Sequence, residues 1–151
     1  MNSIAELIAL AGVLVDVDAS DKAAVLERIA ALLARRSGVP EGDVKEGLAA
    51  RERLGSTGLG HGVAIPHARM PQCVREAGVF VRTKRPVAFD APDARPVSLF
   101  LGLLVPKQAS ERHLNLLATA AAMFADKAFR DKLRTARDAT EAQRLLGSWT
   151  G

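Results

Sequence analysis

The chain has 151 residues, 48% of them hydrophobic and 25% charged, which are the proportions of one folded domain and exclude a disordered chain. Its formal charge of +4 comes from 21 Lys and Arg against 17 Asp and Glu, and aromatics are only 4%, so an ordinary basic surface is favoured over a base-stacking nucleic-acid platform. A single cysteine, Cys73, excludes an internal disulfide scaffold.

The elements are predicted as follows in chain order. Ile4 to Leu10 is a short apolar run of one or two helical turns. Ser20 is placed as the N-cap of the next helix, with Asp21 in its first turn, where the helix dipole favours a carboxylate. Val25, Leu26, Ile29, Leu32 and Leu33 form one apolar helical stripe. Gly38 suits the C′ position and Pro40 prevents continuation. A second helix runs from about Glu41 to Leu54, with Val44 and Leu48 on one edge and Arg51 on the same side as Leu48. Gly55 to Gly62 holds four glycines in eight residues and interrupts all regularity.

Val63-Ala64-Ile65 follows as a short strand ending at Pro66-His67, and Gly78 to Arg82 reads as another. Val97 to Val105 is a continuous apolar run, the pattern of a central strand covered on both faces. Ser110 is placed as the cap of a helix carrying Leu114, Leu117, Ala118, Ala121 and Phe124 on one face, and Phe129 to Arg134 and Thr140 to Leu146 are two more short helices. Interleaved helices and strands predict an α/β fold, a single domain over residues 1–151 with helices packed on a sheet. The longest uncharged stretches, His113 to Ala125 and Pro96 to Pro106, fall short of the roughly 20 apolar residues of a membrane span. The start of the chain lacks the positive region of a signal peptide. A cytoplasmic protein, not embedded in a membrane, is expected.

Three features could carry chemistry. The glycine-rich loop is either a plain connection or a cradle of backbone N–H groups for an anion. It has neither the Lys-Ser/Thr of a nucleotide-binding P-loop nor the strand-then-helix order of a dinucleotide site. His67 follows a proline at a strand end, so its imidazole is either a well-placed acid, base, ligand or nucleophile, or a histidine that hydrogen-bonds at a strand edge. His113 falls three residues after Ser110, in the first turn of a long helix, and is either a surface residue or a neutral imidazole donating a hydrogen bond. His61, His67 and Cys73 are spaced six apart, but that step crosses Pro66 and Pro71 and matches no paired-ligand spacing, so no metal is expected.

The segment from Leu48 to His67, with Arg51-Glu52, Gly55-Ser56-Thr57-Gly58, Gly60, Gly62 and Ala64-Ile65-Pro66-His67, resembles the fructose/mannitol-type (type 2) enzyme IIA family of the bacterial phosphoenolpyruvate-dependent phosphotransferase system. Leu103-Leu104-Val105-Pro106 and His113-Leu114-Asn115-Leu116-Leu117 are similar to the family's second histidine segment, and the pattern extends from Ile4 to Leu146. The chain looks most like the stand-alone, nitrogen-regulatory branch.

The resemblance implies a mixed β-sheet flanked by helices and a phosphotransferase that works through a phosphohistidine. It implies that His67 accepts a phosphoryl group from an HPr-like carrier, that His113 orients that group and that Arg51 offsets its charge. Ser56, Thr57, Gly58 and His61 are implied to line the site. Neither metal nor cofactor is implied, and the implied partners are the carrier and regulatory targets of nitrogen or potassium homeostasis, such as a potassium transporter or a sensor kinase. The alternatives are a sugar-specific enzyme IIA that passes phosphate to a IIB domain, and a binding module that is never phosphorylated. The sequence departs from the family pattern at His61, where relatives carry Asn or another small polar residue, and at Ala68, where Gly is common.

Overall fold

In chain order the elements are α1 (Ser3–Leu7), β1 (Val13–Val17), α2 (Lys22–Ser37), α3 (Glu41–Arg53), β2 (Gly58–Gly60), β3 (Val63–Ala64), β4 (His67–Met70), β5 (Ala77–Val87), β6 (Val97–Pro106), α4 (Ser110–Ala125), α5 (Lys127–Thr135) and α6 (Ala139–Ser148). The computed structural model describes residues 3–8, 12–108 and 110–150. Leu10, the predicted end of the first helix, lies outside these, as does the side chain of Ser110 with its predicted capping role.

β6 is the spine of a mixed sheet in the order β1-β5-β6-β3-β2, with β4 also on β6. β5 pairs with it antiparallel, while β3 and β4 follow one another along its other side, both parallel to it. Successive side chains of a strand point to opposite faces. Leu99, Leu101, Leu103 and Val105 accordingly join a core with α1, α4, α5 and α6, while Phe100 and Leu104 join a core with α2 and α3. Gly102 faces the second core, where a Cβ would come within 2.5 Å of Ile29 Cγ2. A larger residue there would push α2 off the sheet. The mixed sheet with helices on both faces is the expected fold class.

Several local expectations change. Asp21, not Ser20, caps α2: its carboxylate accepts the Ala24 N–H at 2.8 Å, because the helix begins one residue later than predicted. Gly38 closes that helix in the left-handed conformation (φ 78°), its N–H donating to the Ala34 carbonyl. The glycine-rich stretch is not wholly irregular, since β2 forms a hairpin with β3 across a turn at His61-Gly62. β1 is absent from the predicted elements: it is short and irregular, with Asp16 at φ 55° and a register break against β5.

α4 is rotated relative to the predicted face. Leu116, Ala120, Met123 and Phe124 are buried together with His113, while Leu114 is 64% exposed and Ala118 and Ala121 face solvent. Apolar residues run almost all round this helix, so periodicity did not determine its phase. Arg82, part of the predicted basic surface, is 7% exposed and donates inward to the carbonyls of Leu133 (2.9 Å) and Ala136 (2.7 Å) at the end of α5.

Candidate functional site

Pro66 interrupts the line of strand beside β6. Its carbonyl accepts the Leu103 N–H at 2.9 Å, while the preceding Ile65 N–H turns to the Thr57 carbonyl at 3.0 Å. His67 therefore opens β4 in register with Leu103 instead of closing a strand, as the sequence suggested. Its ring folds back so that Nδ1 lies 2.8 Å from the Ile65 carbonyl oxygen. A carbonyl only accepts, so Nδ1 carries the proton and Nε2 holds the lone pair.

His113 comes from the first turn of α4 and is buried, its ring centroid 5.4 Å from that of His67 and tilted by 48°. Its Nδ1 has no hydrogen-bond partner among the described residues. Burial is the main cause holding the His67 pKa below the ordinary imidazole value; the Ile65 carbonyl raises it, Arg51 lowers it and Glu52 raises it. Burial also lowers the His113 pKa, followed by the neighbouring His67 and Arg69. Both rings are thus held neutral near pH 7.

Two guanidinium groups act on the pair. Arg51, in the last turn of α3, donates to the Gly55 carbonyl at 2.8 Å and bears electrostatically on His67. Arg69 stands two residues beyond His67, on the same face of β4, and donates to the Lys107 carbonyl. Arg69 was not among the predicted site residues. The period-2 relation to His67 was the signal that could have found it.

Ser56, Thr57 and Gly58 do not present free donors. Glu52, buried at the end of α3, accepts the Thr57 N–H at 3.2 Å on each oxygen and the Thr57 hydroxyl on Oε2. Lys22 of α2 closes the other side of the carboxylate at 2.9 Å. The Ser56 hydroxyl donates to the Phe89 carbonyl at 2.8 Å and accepts the Gly58 N–H at 3.0 Å. At Gly58 a Cβ would lie 2.9 Å from that of Ala91, so this glycine serves close packing. In this arrangement these hydroxyls and amides hold the loop in place, and Glu52, which was not among the predicted site residues, is their anchor.

His61 is separated from the pair. Val63 is in register with Leu99 and His67 with Leu103, so they stand four residue steps apart along β6, about 13 Å, and His61 is two residues further along. His61 occupies the left-handed region (φ 57°) at the hairpin turn, and its N–H donates to Asp93 at 2.9 Å. Asn, Asp and His are the non-glycine residues that tolerate this backbone best, so a histidine fits this turn. Ala68 is accommodated by Gly47 of α3, where a Cβ would stand 3.3 Å from that of Ala68.

The described residues contain no group of three or more His, Cys, Asp or Glu able to hold a metal ion, and no helix among them long and apolar enough to cross a membrane. The arrangement is a neutral imidazole with a free Nε2, a second buried imidazole against it, and guanidinium groups nearby. It suits attack on an electrophile that brings negative charge.

Residues 6–149 match the protein family described as phosphoenolpyruvate-dependent sugar phosphotransferase system, EIIA 2. The chain is 45% identical over 136 residues to a nitrogen regulatory protein of Pseudomonas aeruginosa, covering 88% of this chain and 87% of that protein. It is 38% identical to the nitrogen regulatory protein of Escherichia coli, covering 89% and 83%. The crystal structure of nitrogen regulatory protein IIA-Ntr from Neisseria meningitidis superposes with a TM-score of 0.92 at 43% identity, covering 96% of this chain and 99% of that one. Mannitol IIA of E. coli shares the fold, with a TM-score of 0.79 at 18% identity, over 92% of this chain and 98% of that one.

Proposed function

As the chain belongs to the EIIA 2 family of the phosphoenolpyruvate-dependent phosphotransferase system, we propose that it is a nitrogen-regulatory phosphocarrier whose phosphoryl group resides on Nε2 of His67. The observation that carries this reading is the 2.8 Å contact of His67 Nδ1 with the Ile65 carbonyl, which leaves Nε2 as the free nucleophile. The donor is a phosphohistidine carrier resembling HPr. The Nε2 lone pair forms a bond to phosphorus as the carrier's P–N bond breaks, and the carrier's imidazole leaves with that electron pair. The reaction is one of positioning and charge neutralisation. A phosphoryl group brings about two negative charges near neutral pH, which Arg51 and Arg69 offset. The proton stays on Nδ1, hydrogen-bonded to the Ile65 carbonyl, throughout. His113 is held by packing and not by a hydrogen bond at Nδ1, so its ring can turn an N–H toward a phosphoryl oxygen and orient the group.

The output is binding of cytoplasmic regulatory targets according to phosphorylation state. The nitrogen-regulatory names of relatives at 38–45% identity support that output over sugar transport. Incubation with a phosphorylated carrier tests the reading. Wild type should gain one acid-labile phosphoryl group and His67→Ala none, and neither should pass phosphate efficiently to a fructose or mannitol IIB domain. Absence of labelling in wild type would leave a pure binding module, and rapid transfer to IIB would make the protein a sugar-transport component.

A further inference from the structure

At the end of the sheet away from His67, α5 and the hairpin turn border an open cleft of about 440 Å³, within the range of small-molecule sites. Arg95, Lys127, Arg130 and Arg134 line it, with Asp131 as the one carboxylate and His61 at its rim. The carboxylate does not satisfy them. Asp131 pairs with Lys127 at 2.8 Å and with Arg134 at 3.6 Å. Another Arg134 nitrogen is spent on the His61 carbonyl.

Arg130 lines the cleft from a buried position. It is 6% exposed, donates Nη1 to the Phe124 carbonyl at 2.9 Å, and leaves Nε without a hydrogen-bond partner among the described residues. Arg130 and Arg134 also crowd one another: burial and the Arg130 charge push the Arg134 pKa down. Like charges so gathered around a space of metabolite size favour a multivalent anion.

We propose that this cleft binds a small polyanion, a phosphate-bearing or polycarboxylate metabolite, at a site separate from the histidine pair. The anion bridges Arg95 and Lys127 at the mouth and Arg130 and Arg134 within. The site does not depend on phosphorylation of His67.

The test titrates the full chain with pyrophosphate and, separately, with citrate at low ionic strength, followed by calorimetry and amide chemical shifts. Saturable one-to-one binding is expected, with shifts confined to residues around 61–62, 95–98 and 127–134. The tighter of the two probes identifies the ligand as phosphate-bearing or polycarboxylate. Arg95→Gln and Lys127→Gln, both at surface positions, should each weaken binding about tenfold, whereas His67→Ala should bind as wild type. The proposal is overturned if neither probe saturates, if the shifts centre on His67 and His113, or if the two variants bind as tightly as wild type.

Discussion

The imidazole centroids of His67 and His113 lie 5.4 Å apart although the two residues are 46 positions apart in sequence, one the first residue of β4 and the other in the first turn of α4. β6 makes this meeting possible. It takes His67 into register with Leu103 and, three residues after that strand ends at Pro106, delivers the chain near the start of α4.

The pH dependence follows from the shared burial. Both pKa values are lowered, so the folded protein binds fewer protons than the unfolded chain, whose histidines titrate near 6.5. The resulting stability is fully present above pH 6.5 and is lost as pH falls below it toward the folded values. Phosphoryl acceptance should likewise be flat through neutral pH and decline only on the acid side of the ordinary imidazole range. Thermal unfolding and labelling rates between pH 5 and 8 check this. In His67→Gln/His113→Gln the acid slope of stability should flatten.

Glu52 is a structural anchor that acts through the loop. Glu52→Ala leaves the buried Thr57 N–H and hydroxyl without their partner and leaves the Lys22 ammonium only Asp90 at 3.6 Å, and should cost about 2–3 kcal/mol, the scale for orphaning buried hydrogen-bonding groups. Thr57→Val, which keeps the shape and removes the hydroxyl, should cost about 1–2 kcal/mol. Urea unfolding of the single and double variants measures both, with a smaller loss for Thr57→Val on the Glu52→Ala background.

Arg82 fastens the end of α5 to the sheet. Arg82→Met keeps much of the apolar stem and abandons the carbonyls of Leu133 and Ala136, with an expected loss of about 2–3 kcal/mol in chemical denaturation. Phosphoryl acceptance at His67 should be unaffected in the fraction that remains folded.

His61 separates turn chemistry from phosphoryl chemistry. His61→Asn should leave stability within about 0.5 kcal/mol of wild type, since Asn also tolerates positive φ. His61→Val should cost about 1–3 kcal/mol, because a β-branched residue strains there. Both should accept phosphate at the wild-type rate, and slower labelling of a folded His61→Asn would return this residue to the site.

Much of this was legible in the sequence because local patterns carried it. The unbroken apolar run of β6, the stripe of α2 and the glycine at 38 each fix one element by its own chemistry. The Pro66-His67 step and the motif around it pointed to the residue whose ring meets His113. What was not legible depends on tertiary partners. That the Ser56 and Thr57 hydroxyls meet the Phe89 carbonyl and Glu52 could not be read from the loop alone. Arg82 looks like surface charge until the carbonyls at the end of α5 come to it. The phase of α4 is set by which face the sheet covers, and that face includes a polar residue, His113, that apolar periodicity skips.

The central claim is that Nε2 of His67 carries the phosphoryl group. Long-range ¹H–¹⁵N correlation of the histidine rings, with ³¹P detection, on protein labelled by a phosphorylated HPr-like carrier tests it most directly. The account predicts one phosphohistidine, bonded through Nε2 of His67, with the Nδ1 proton retained. Phosphorus on Nδ1 of His67, or on His113 or His61, would contradict it.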